Sequence, residues 1–450
     1  MNSVHVIINI DKGINDFLYL DSKKKTMNED FLHYVWKYQL FSVHDLKTTT
    51  NEDVSILKVG IHNYNSGPDF LNAQLKIDDQ LWAGNVEIHL KSSDWYVHHH
   101  EIDENYDAVI LHVVWEDDAT VFMKNNKPLP VLVLKDFVLA SALHNYRNLF
   151  STKQNWISCE KEISTVDDFT LDNWKERLFF ERLERKSIEM NKVLLDNQND
   201  FEAVLFQLLA KNFGLKVNGD VFFNLATSFD FSTLRKVRFD ETQLAALLFG
   251  QAGFLEEVVD SEYHQQLKTS YNYLQHKYNL EPIGKVQFSF FRMRPPNFPT
   301  IRIAQLIALY HCHQNLFSKM MQIETLKEFY NLFEIDVHPF WKTHYTFETA
   351  SKLSPKKLTK SFVDLLLINT IIPLKFSYQK SRGEVNEMEF LKILKKIKPE
   401  KNSIISRFDD IGVQSKNAYE TQSLLELKNN YCAKKRCLQC AIGVRLLSEK

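Results

Sequence analysis

The spacing of apolar residues predicts a helix followed by a group of strands near the start of the chain. Residues 29–41 carry apolar side chains at helical spacing, and Asn28 is a candidate N-cap. Strand-like stretches follow at residues 55–63, 70–77, 81–90 and 108–116. Asp78-Asp79 is a hairpin turn signal between the second and third of them. With a short helix capped by Ser92 or Ser93, the predicted order is helix, three strands, helix, strand.

The pattern becomes mostly helical after about residue 135. A further hairpin is expected around Asn125-Asn126, with Pro128 and Pro130 marking an edge. Helical periodicity then covers residues 168–195, 201–213, 241–248, 261–278, 302–316, 323–333, 357–369 and 423–446. The prediction is an α+β protein with an N-terminal extension (1–26), an α/β domain (27–140) and a mostly α-helical domain (141–450).

Composition limits the class of protein further. The chain has 450 residues, 44% of them hydrophobic and 25% charged, with a formal net charge of -2, as in a globular protein of two or three domains. A nucleic-acid surface would have to be a local basic patch, because the whole chain is not basic. No apolar run is long enough to cross a bilayer and no signal peptide is evident, so we expect a cytoplasmic protein without membrane contact. Nothing in the sequence identifies a protein partner.

Candidate chemistry concentrates in residues 84–91. Side chains alternate along a strand, so Glu87, His89 and Lys91 share one face while Val86 and Ile88 occupy the other. A carboxylate, an imidazole and an ammonium on one face of a strand are costly to bury unless they are paired or have a function. The alternative is a polar strand face that simply contacts water.

This segment resembles the PD-(D/E)xK nuclease superfamily. The resemblance is carried by Pro68-Asp69 and Glu87-Ile88-His89 together with the order helix, three strands, helix, strand. It implies a restriction-endonuclease-like α/β core in which Asp69 and Glu87 hold Mg²⁺ or Mn²⁺ for hydrolysis of DNA or RNA. His89 occupies the place of the usual lysine, and Lys91, about 6–7 Å further along the strand, is the other candidate to orient water. Glu29 matches the accessory acid of some members.

Histidines follow this motif closely. His98-His99-His100 precede the fourth strand, and His112 interrupts its apolar run. A buried core histidine is one interpretation of His112. The other is that His100 or His112 lines the same cleft as Glu87, or that His89, His100 and His112 hold Zn²⁺ or Mn²⁺.

Cysteines near the C-terminus suggest a second metal position. Cys432, Cys437 and Cys440 form C-x4-C-x2-C, a spacing that lets thiolates converge on one ion. Zinc could gain its fourth ligand from Cys159, Cys312, His311 or His313. One upstream and three C-terminal cysteines also resemble the iron–sulfur staple of some PD-(D/E)xK nucleases, with Cys159 upstream. The alternative is reduced cysteines that pack as small hydrophobic residues.

A rigid loop carries arginines in the helical region. Arg292, Arg294 and Arg302 flank the proline-rich residues 295–299, where guanidinium groups could bind phosphate or brace the loop itself. This loop, residues 67–114 and the terminal cysteines together also resemble a bacterial family of unknown function. That resemblance indicates relatives and supplies no activity.

The function expected from the sequence is metal-dependent hydrolysis of phosphodiester bonds in DNA or RNA. A protein that keeps the fold as a nucleic-acid-binding module or scaffold without cleavage is the first alternative. A zinc or manganese hydrolase of another substrate, built from the histidines, is the second.

Overall fold

The computed structural model describes residues 28–151 and 155–448, and the residues fall into two compact units. The first unit contains the described residues of 1–166 and 431–450, and the second contains 167–430. The predicted N-terminal extension (1–26) lies outside the described residues. The sequence had placed the boundary near residue 140 and the cysteine-rich end in the helical domain. The structure instead groups that end with the first unit.

The first unit is a mixed α+β structure. Its helices and strands are α1 (Glu29–Lys37), β1 (Val54–Lys58), β2 (Ile61–His62), β3 (Phe70–Ile77), β4 (Gln80–Lys91), α2 (Asp94–Val97), β5 (Val109–Glu116), β6 (Val131–Val133), α3 (Ala140–Ser151) and α19 (Ala441–Ser448). Within the described residues the strands form one sheet in the order β1-β3-β4-β5-β6, with β2 paired to β3. The β1–β3 and β3–β4 pairs are antiparallel, whereas β4–β5 and β5–β6 are parallel.

Local sequence signals explain the first helix. Asn28 Oδ1 accepts a hydrogen bond from the N–H of Phe31 at 3.2 Å, so the predicted cap is confirmed. The apolar stripe of α1, which includes Phe31 and Trp36, is buried. The helix ends at Lys37 instead of residue 41 because Gln39 adopts a positive φ of 50°, which leaves the helical conformation.

The first predicted strand is divided by a glycine. Gly60 lies between β1 and β2 with φ +95°, and a Cβ there would be 3.0 Å from the carbonyl oxygen of Leu71. A positive φ and this close approach of two backbones both require glycine. The predicted hairpin between β3 and β4 is confirmed, with Asp78 in the turn at φ 48°.

The second unit is helical throughout its regular structure. Its α-helices are α4 (Asp168–Asp196), α5 (Phe201–Phe213), α6 (Leu215–Thr227), α7 (Phe231–Val237), α8 (Glu241–Gln251), α9 (Glu262–Tyr278), α10 (Pro299–Cys312), α11 (Leu316–Gln322), α12 (Leu326–Leu332), α13 (Pro339–Lys342), α14 (Lys360–Leu366), α15 (Ile372–Arg382), α16 (Glu387–Leu394), α17 (Ser403–Asp410) and α18 (Ala418–Glu426). π-helical segments follow α14 (Leu367–Ile371) and α18 (Leu427–Cys432).

A long apolar helical segment crosses the second unit. Residues 360–382 are long and apolar enough to span a membrane, but most of their surface is buried in the unit. Core helices of soluble proteins share this length and composition. Burial of this segment in the unit is typical of a core helix, and a cytoplasmic location stays a prediction.

The arginine loop is braced from within. Arg302 donates to Asn297 Oδ1 at 2.7 Å and to Gln305 Oε1 at 2.9 Å, and its guanidinium lies 3.7 Å from the centre of the Phe362 ring. Arg302 is buried, so this guanidinium holds the loop and does not face a ligand in solvent.

The last predicted helix, residues 423–446, is interrupted at the cysteines. A turn at Lys435, with φ 54°, separates the π-helical segment from α19. Gly443 then packs on the preceding turn, where a Cβ would lie 2.2 Å from the carbonyl oxygen of Cys437. The helical periodicity did not predict this interruption, because apolar residues occur on both sides of it.

Candidate functional site

Two carboxylates meet where β3 begins beside β4. Glu87 Oε2 accepts a hydrogen bond from the backbone N–H of Asp69 at 3.1 Å. Asp69 Oδ2 accepts one from the backbone N–H of Ile88 at 2.9 Å. Each carboxylate is thus anchored to the backbone of the other strand, and the sequence-predicted pair is held together at one point of the sheet.

Helix α1 brings two further groups to this pair. Glu29 and His33, one turn apart, lie on the same helix face. His33 Nε2 is 3.1 Å from Asp69 Oδ2 and 3.6 Å from Glu29 Oε1. Glu29, His33 and Asp69 therefore form one group of potential metal ligands. His33 was not among the predicted site residues, although its spacing from Glu29 on a predicted helix was a usable signal.

A cluster of histidines extends the site along β4. His89 Nδ1 lies 2.9 Å from His112 Nε2 on the neighbouring strand β5, and His89 Nε2 lies 3.1 Å from His98 Nδ1. His100 Nε2 is 3.2 Å from Glu87 Oε1, and His89 Nε2 is 3.4 Å from the same oxygen. His89, His98 and His100 form the second group of potential metal ligands. The structure thus brings His100 and His112 to Glu87 and His89.

Aromatic side chains fix one end of the cluster. The His100 ring stacks on Tyr106 with ring centroids 3.7 Å apart, and Trp95 contacts both His100 and His112 edge-on or tilted. Trp95 and Tyr106 are buried, so they belong to a small core under the site. Their burial leaves neither ring open as a stacking surface for a nucleic-acid base.

The polar face of β4 is buried instead of facing water. Glu87 is 4% and His89 is 1% exposed, because α1 and α2 both pack against this strand. Burial, followed by the negative charge of Asp69, raises the pKa of Glu87 to about 9. Burial and the neighbouring imidazoles His112 and His100 lower the pKa of His89 to about 2. These shifts leave both side chains uncharged near neutral pH.

The contacts of Glu87 with His89 and His100 are therefore contacts between uncharged groups. Burial also lowers the pKa of His100, and it lowers the pKa of His112 to about 3. His33 differs, because the Asp69 and Glu29 carboxylates raise its pKa by more than burial lowers it. His33, at the α1 end of the site, therefore has a raised pKa, in contrast to the lowered pKa values of His89, His100 and His112.

Lys91 lies apart from these groups. Its side chain is exposed, and its Nζ is 3.7 Å from Asp118 Oδ2. Asp118 also accepts hydrogen bonds from the hydroxyls of Ser92 and Ser93, at 3.2 and 2.9 Å. The predicted role of these serines as a helix cap is replaced by this contact, since α2 has no side-chain cap.

The cysteine-rich end approaches Cys159 within the first unit. Cys159 and Cys440 are buried, and Cys437 and Cys440 share one turn in which the Cys440 N–H donates to the Cys437 carbonyl at 3.2 Å. Burial and the nearby thiols of Cys440 and Cys437 raise the pKa of Cys159. Cys312 and the histidines beside it lie in the second unit. Of the fourth ligands proposed from sequence, Cys159 is the one in the same unit as the trio.

The fold and this site define an α+β protein with a buried histidine and carboxylate cluster on a mixed sheet. Residues 29–403 match the DUF2851 family, described as a protein of unknown function, and the chain belongs to that family. No curated protein and no solved structure matches the chain.

Proposed function

We propose that this protein is a metal-dependent phosphodiesterase that cleaves DNA or RNA. The observation that carries the proposal is the pairing of Asp69 and Glu87. The Glu87 carboxylate accepts a hydrogen bond from the backbone N–H of Asp69, and the Asp69 carboxylate accepts one from the backbone N–H of Ile88. Two carboxylates at one point supply the oxygen ligands that divalent cations prefer. Their anchoring to backbone N–H groups fixes their positions, and Glu87, which is protonated near neutral pH in the metal-free protein, would lose its proton when an ion binds.

The order of elements supports a relation to the PD-(D/E)xK nucleases. Helix α1 is followed by the antiparallel strands β1, β3 and β4, then by α2 and by β5 parallel to β4. Asp69 immediately precedes β3 and Glu87 lies on β4, as the resemblance implies. The restriction-endonuclease-like fold is accordingly part of the proposal.

The residues have separate roles in the proposed reaction. Asp69 and Glu87 would hold the cation, and Glu29 would add a third carboxylate through its position beside His33. A divalent cation held there would polarise the phosphodiester and lower the pKa of water. His33 can donate a hydrogen bond to the Asp69 carboxylate and so fix its orientation.

The lysine position is where this chain departs from those nucleases. His89 occupies it as a buried, neutral imidazole, whose lowered pKa makes it a weak base and leaves it without positive charge. The ammonium of Lys91 contacts Asp118, and we therefore assign it no part in the reaction. The positive charge that stabilises the reacting phosphate would have to come from bound cations.

The histidine-rich donor set favours one alternative in particular. Imidazole nitrogen suits zinc, manganese and other transition metals better than Mg²⁺, so the same site could hydrolyse a substrate other than nucleic acid. A protein that binds nucleic acid without cleaving it is the remaining alternative.

We also propose that the cysteine-rich end holds zinc or an iron–sulfur cluster. The supporting observation is that Cys159 lies close enough to Cys437 and Cys440 for the thiols to influence one another. Cys432, whose carbonyl accepts from the Lys435 N–H in the turn before Cys437, would complete the set of four cysteines. Thiolate sulfur suits both cofactors.

The test compares substrates with one purified protein. The protein is incubated with Mg²⁺, Mn²⁺ or Zn²⁺ and with labelled single- and double-stranded DNA and RNA, or with a small phosphodiester. Cleavage of a nucleic acid supports the proposal, whereas cleavage of the small ester alone favours the other hydrolase. Nucleic-acid binding without any cleavage indicates the inactive module.

A further inference from the structure

We propose that His89, His98, His100 and Glu87 form a separate binding site for a transition-metal ion of the Zn²⁺ type. The inference stands apart from phosphodiester cleavage, because metal binding can be measured without a substrate. It concerns the imidazole side of Glu87, whereas the proposed reaction uses the Asp69 side.

Three distances within the cluster match the spacing of ligands around a single tetrahedral ion. Zinc binds imidazole nitrogen and carboxylate oxygen at about 2.0–2.1 Å, so neighbouring ligands of a tetrahedral ion lie about 3.3 Å apart. Three of the donor pairs measure 3.1 Å (His89 Nε2 to His98 Nδ1), 3.2 Å (His100 Nε2 to Glu87 Oε1) and 3.4 Å (His89 Nε2 to Glu87 Oε1). The donor atoms of the three histidines all lie within 4.8 Å of one another. Three pairs therefore already have the spacing of neighbouring ligands of one ion.

A partner behind His89 orients it for this role. His89 Nδ1 is 2.9 Å from His112 Nε2, so one ring nitrogen is occupied by a buried neighbour. The other nitrogen, Nε2, then faces His98 and Glu87. Ligand histidines commonly use one nitrogen for the metal and the other for a fixing hydrogen bond.

The remaining ligands are held in place and leave an entry path. Stacking on Tyr106 fixes the ring of His100, and the hydrogen bond from Asp69 N–H to Oε2 fixes the carboxylate of Glu87. His98 is exposed while His89 is buried, so an ion could reach the site from solvent through His98. A fixed ligand set with access from solvent is what a metal site requires.

Two groups of ligands thus meet at one carboxylate. The group of Glu29, His33 and Asp69 is mostly oxygen, while the group of His89, His98 and His100 consists of imidazole nitrogen. Glu87 lies between them, with Oε2 at the Asp69 N–H and Oε1 toward His89 and His100. Mg²⁺ prefers the first kind of ligand set and Zn²⁺ the second.

The experiment uses the full chain, stripped of metal with a chelator and titrated with Co²⁺ as a probe for zinc sites. Metal content per chain is measured by mass spectrometry, and visible d–d absorption reports tetrahedral nitrogen and oxygen ligands. Cobalt bound by cysteine shows sulfur-to-metal absorption and is counted separately. The variants are His98→Ala, whose ring is exposed, and His100→Gln, which tests a second ligand.

His99→Asn is the matched control. His99 is the neighbouring exposed imidazole, its Nδ1 lies 4.0 Å from Glu101 Oε1, and it belongs to neither ligand group. Its φ of 60° is a conformation that asparagine tolerates better than alanine. The circular dichroism of each metal-free variant establishes that it is folded before titration.

We expect His98→Ala and His100→Gln each to bind one Co²⁺ fewer per chain, or to bind it at least about 100-fold more weakly. We expect His99→Asn to match the wild type. The proposal is overturned if the wild type shows no histidine-type cobalt absorption, or if both ligand variants bind like the wild type. Loss of binding in these variants together with no cleavage by the wild type would retain this site and refute the phosphodiesterase.

Discussion

The carboxylate of Glu87 accepts a hydrogen bond from the backbone N–H of Asp69, with Oε2 and N 3.1 Å apart. Asp69 in turn accepts from Ile88 N–H, the residue that follows Glu87. The two acids therefore fix each other's strands as well as each other's position. A change at either residue acts on the register of β3 and β4 and on any bound ion.

The metal-free protein should become less stable as pH rises, through Glu87. Its carboxyl ionises near pH 4.5 when unfolded, whereas its pKa in the folded protein is about 9. Between these values unfolding releases a proton, so the free energy of unfolding falls with increasing pH. Glu87→Gln lacks this proton and should gain about 1–3 kcal/mol relative to the wild type between pH 6 and pH 8.

Urea denaturation in the presence of a chelator measures this difference. Asp118→Asn is a suitable control, because Asp118 lies beside Lys91 and outside the buried cluster. Curves of stability against pH that run parallel for Glu87→Gln and the wild type would contradict a raised pKa of Glu87.

The cap of α1 should contribute measurably to the stability of the first unit. Asn28→Ala removes the acceptor for Phe31 N–H and should lower the free energy of unfolding by about 1 kcal/mol. Asn28→Asp keeps an acceptor at the cap and should cost less. Denaturant unfolding of the three proteins measures the effect, and equal losses in both variants would refute the capping role.

Lys91 should be dispensable. Its ammonium is exposed and pairs only at the surface with Asp118, an interaction of about 0–1 kcal/mol. Lys91→Ala should therefore keep kcat/KM for nucleic-acid cleavage within about threefold of the wild type, a change of less than 1 kcal/mol in the barrier. A loss of more than tenfold in kcat/KM would indicate that Lys91 takes the role of the lysine in PD-(D/E)xK nucleases.

The cysteine-rich end should bind metal through Cys159. Cys159→Ser should lower the zinc or iron content of the protein purified without chelator, because a hydroxyl is a much poorer ligand than a thiolate. Cys312→Ser, in the second unit, is the control and should leave the metal content unchanged. Equal metal content in all three proteins would indicate that Cys159 packs as a small hydrophobic residue.

Much of the local structure follows from the sequence because alternating or helical patterns are strong there. β3 and α5 occupy the predicted residues 70–77 and 201–213, and the Asp78 turn was visible as a signal. The strand break at Gly60 and the interruption of the last helix depend on close backbone contacts, which no pattern of apolar residues encodes.

The sequence predicted only those parts of the site that depend on residues close together along the chain. The alternation of β4 predicted that Glu87 and His89 share a face, but a single strand cannot say what covers that face. The covering elements, α1 and α2, bring His33 and His98 from other parts of the sequence. Their burial of Glu87 is what shifts its pKa, so the chemical state of the site is a property of the tertiary fold.

The most direct test of the proposed function is metal-dependent cleavage of labelled DNA and RNA by the wild type, Asp69→Asn, Glu87→Gln and Asp118→Asn. Removal of a metal-binding carboxylate should lower kcat/KM at least about 100-fold, a loss of roughly 3 kcal/mol of transition-state stabilisation. We predict that Asp69→Asn and Glu87→Gln lose cleavage while Asp118→Asn retains it. Cleavage that survives in both folded Asp69 and Glu87 variants, or no cleavage by the wild type with any of the metals, would contradict the phosphodiesterase.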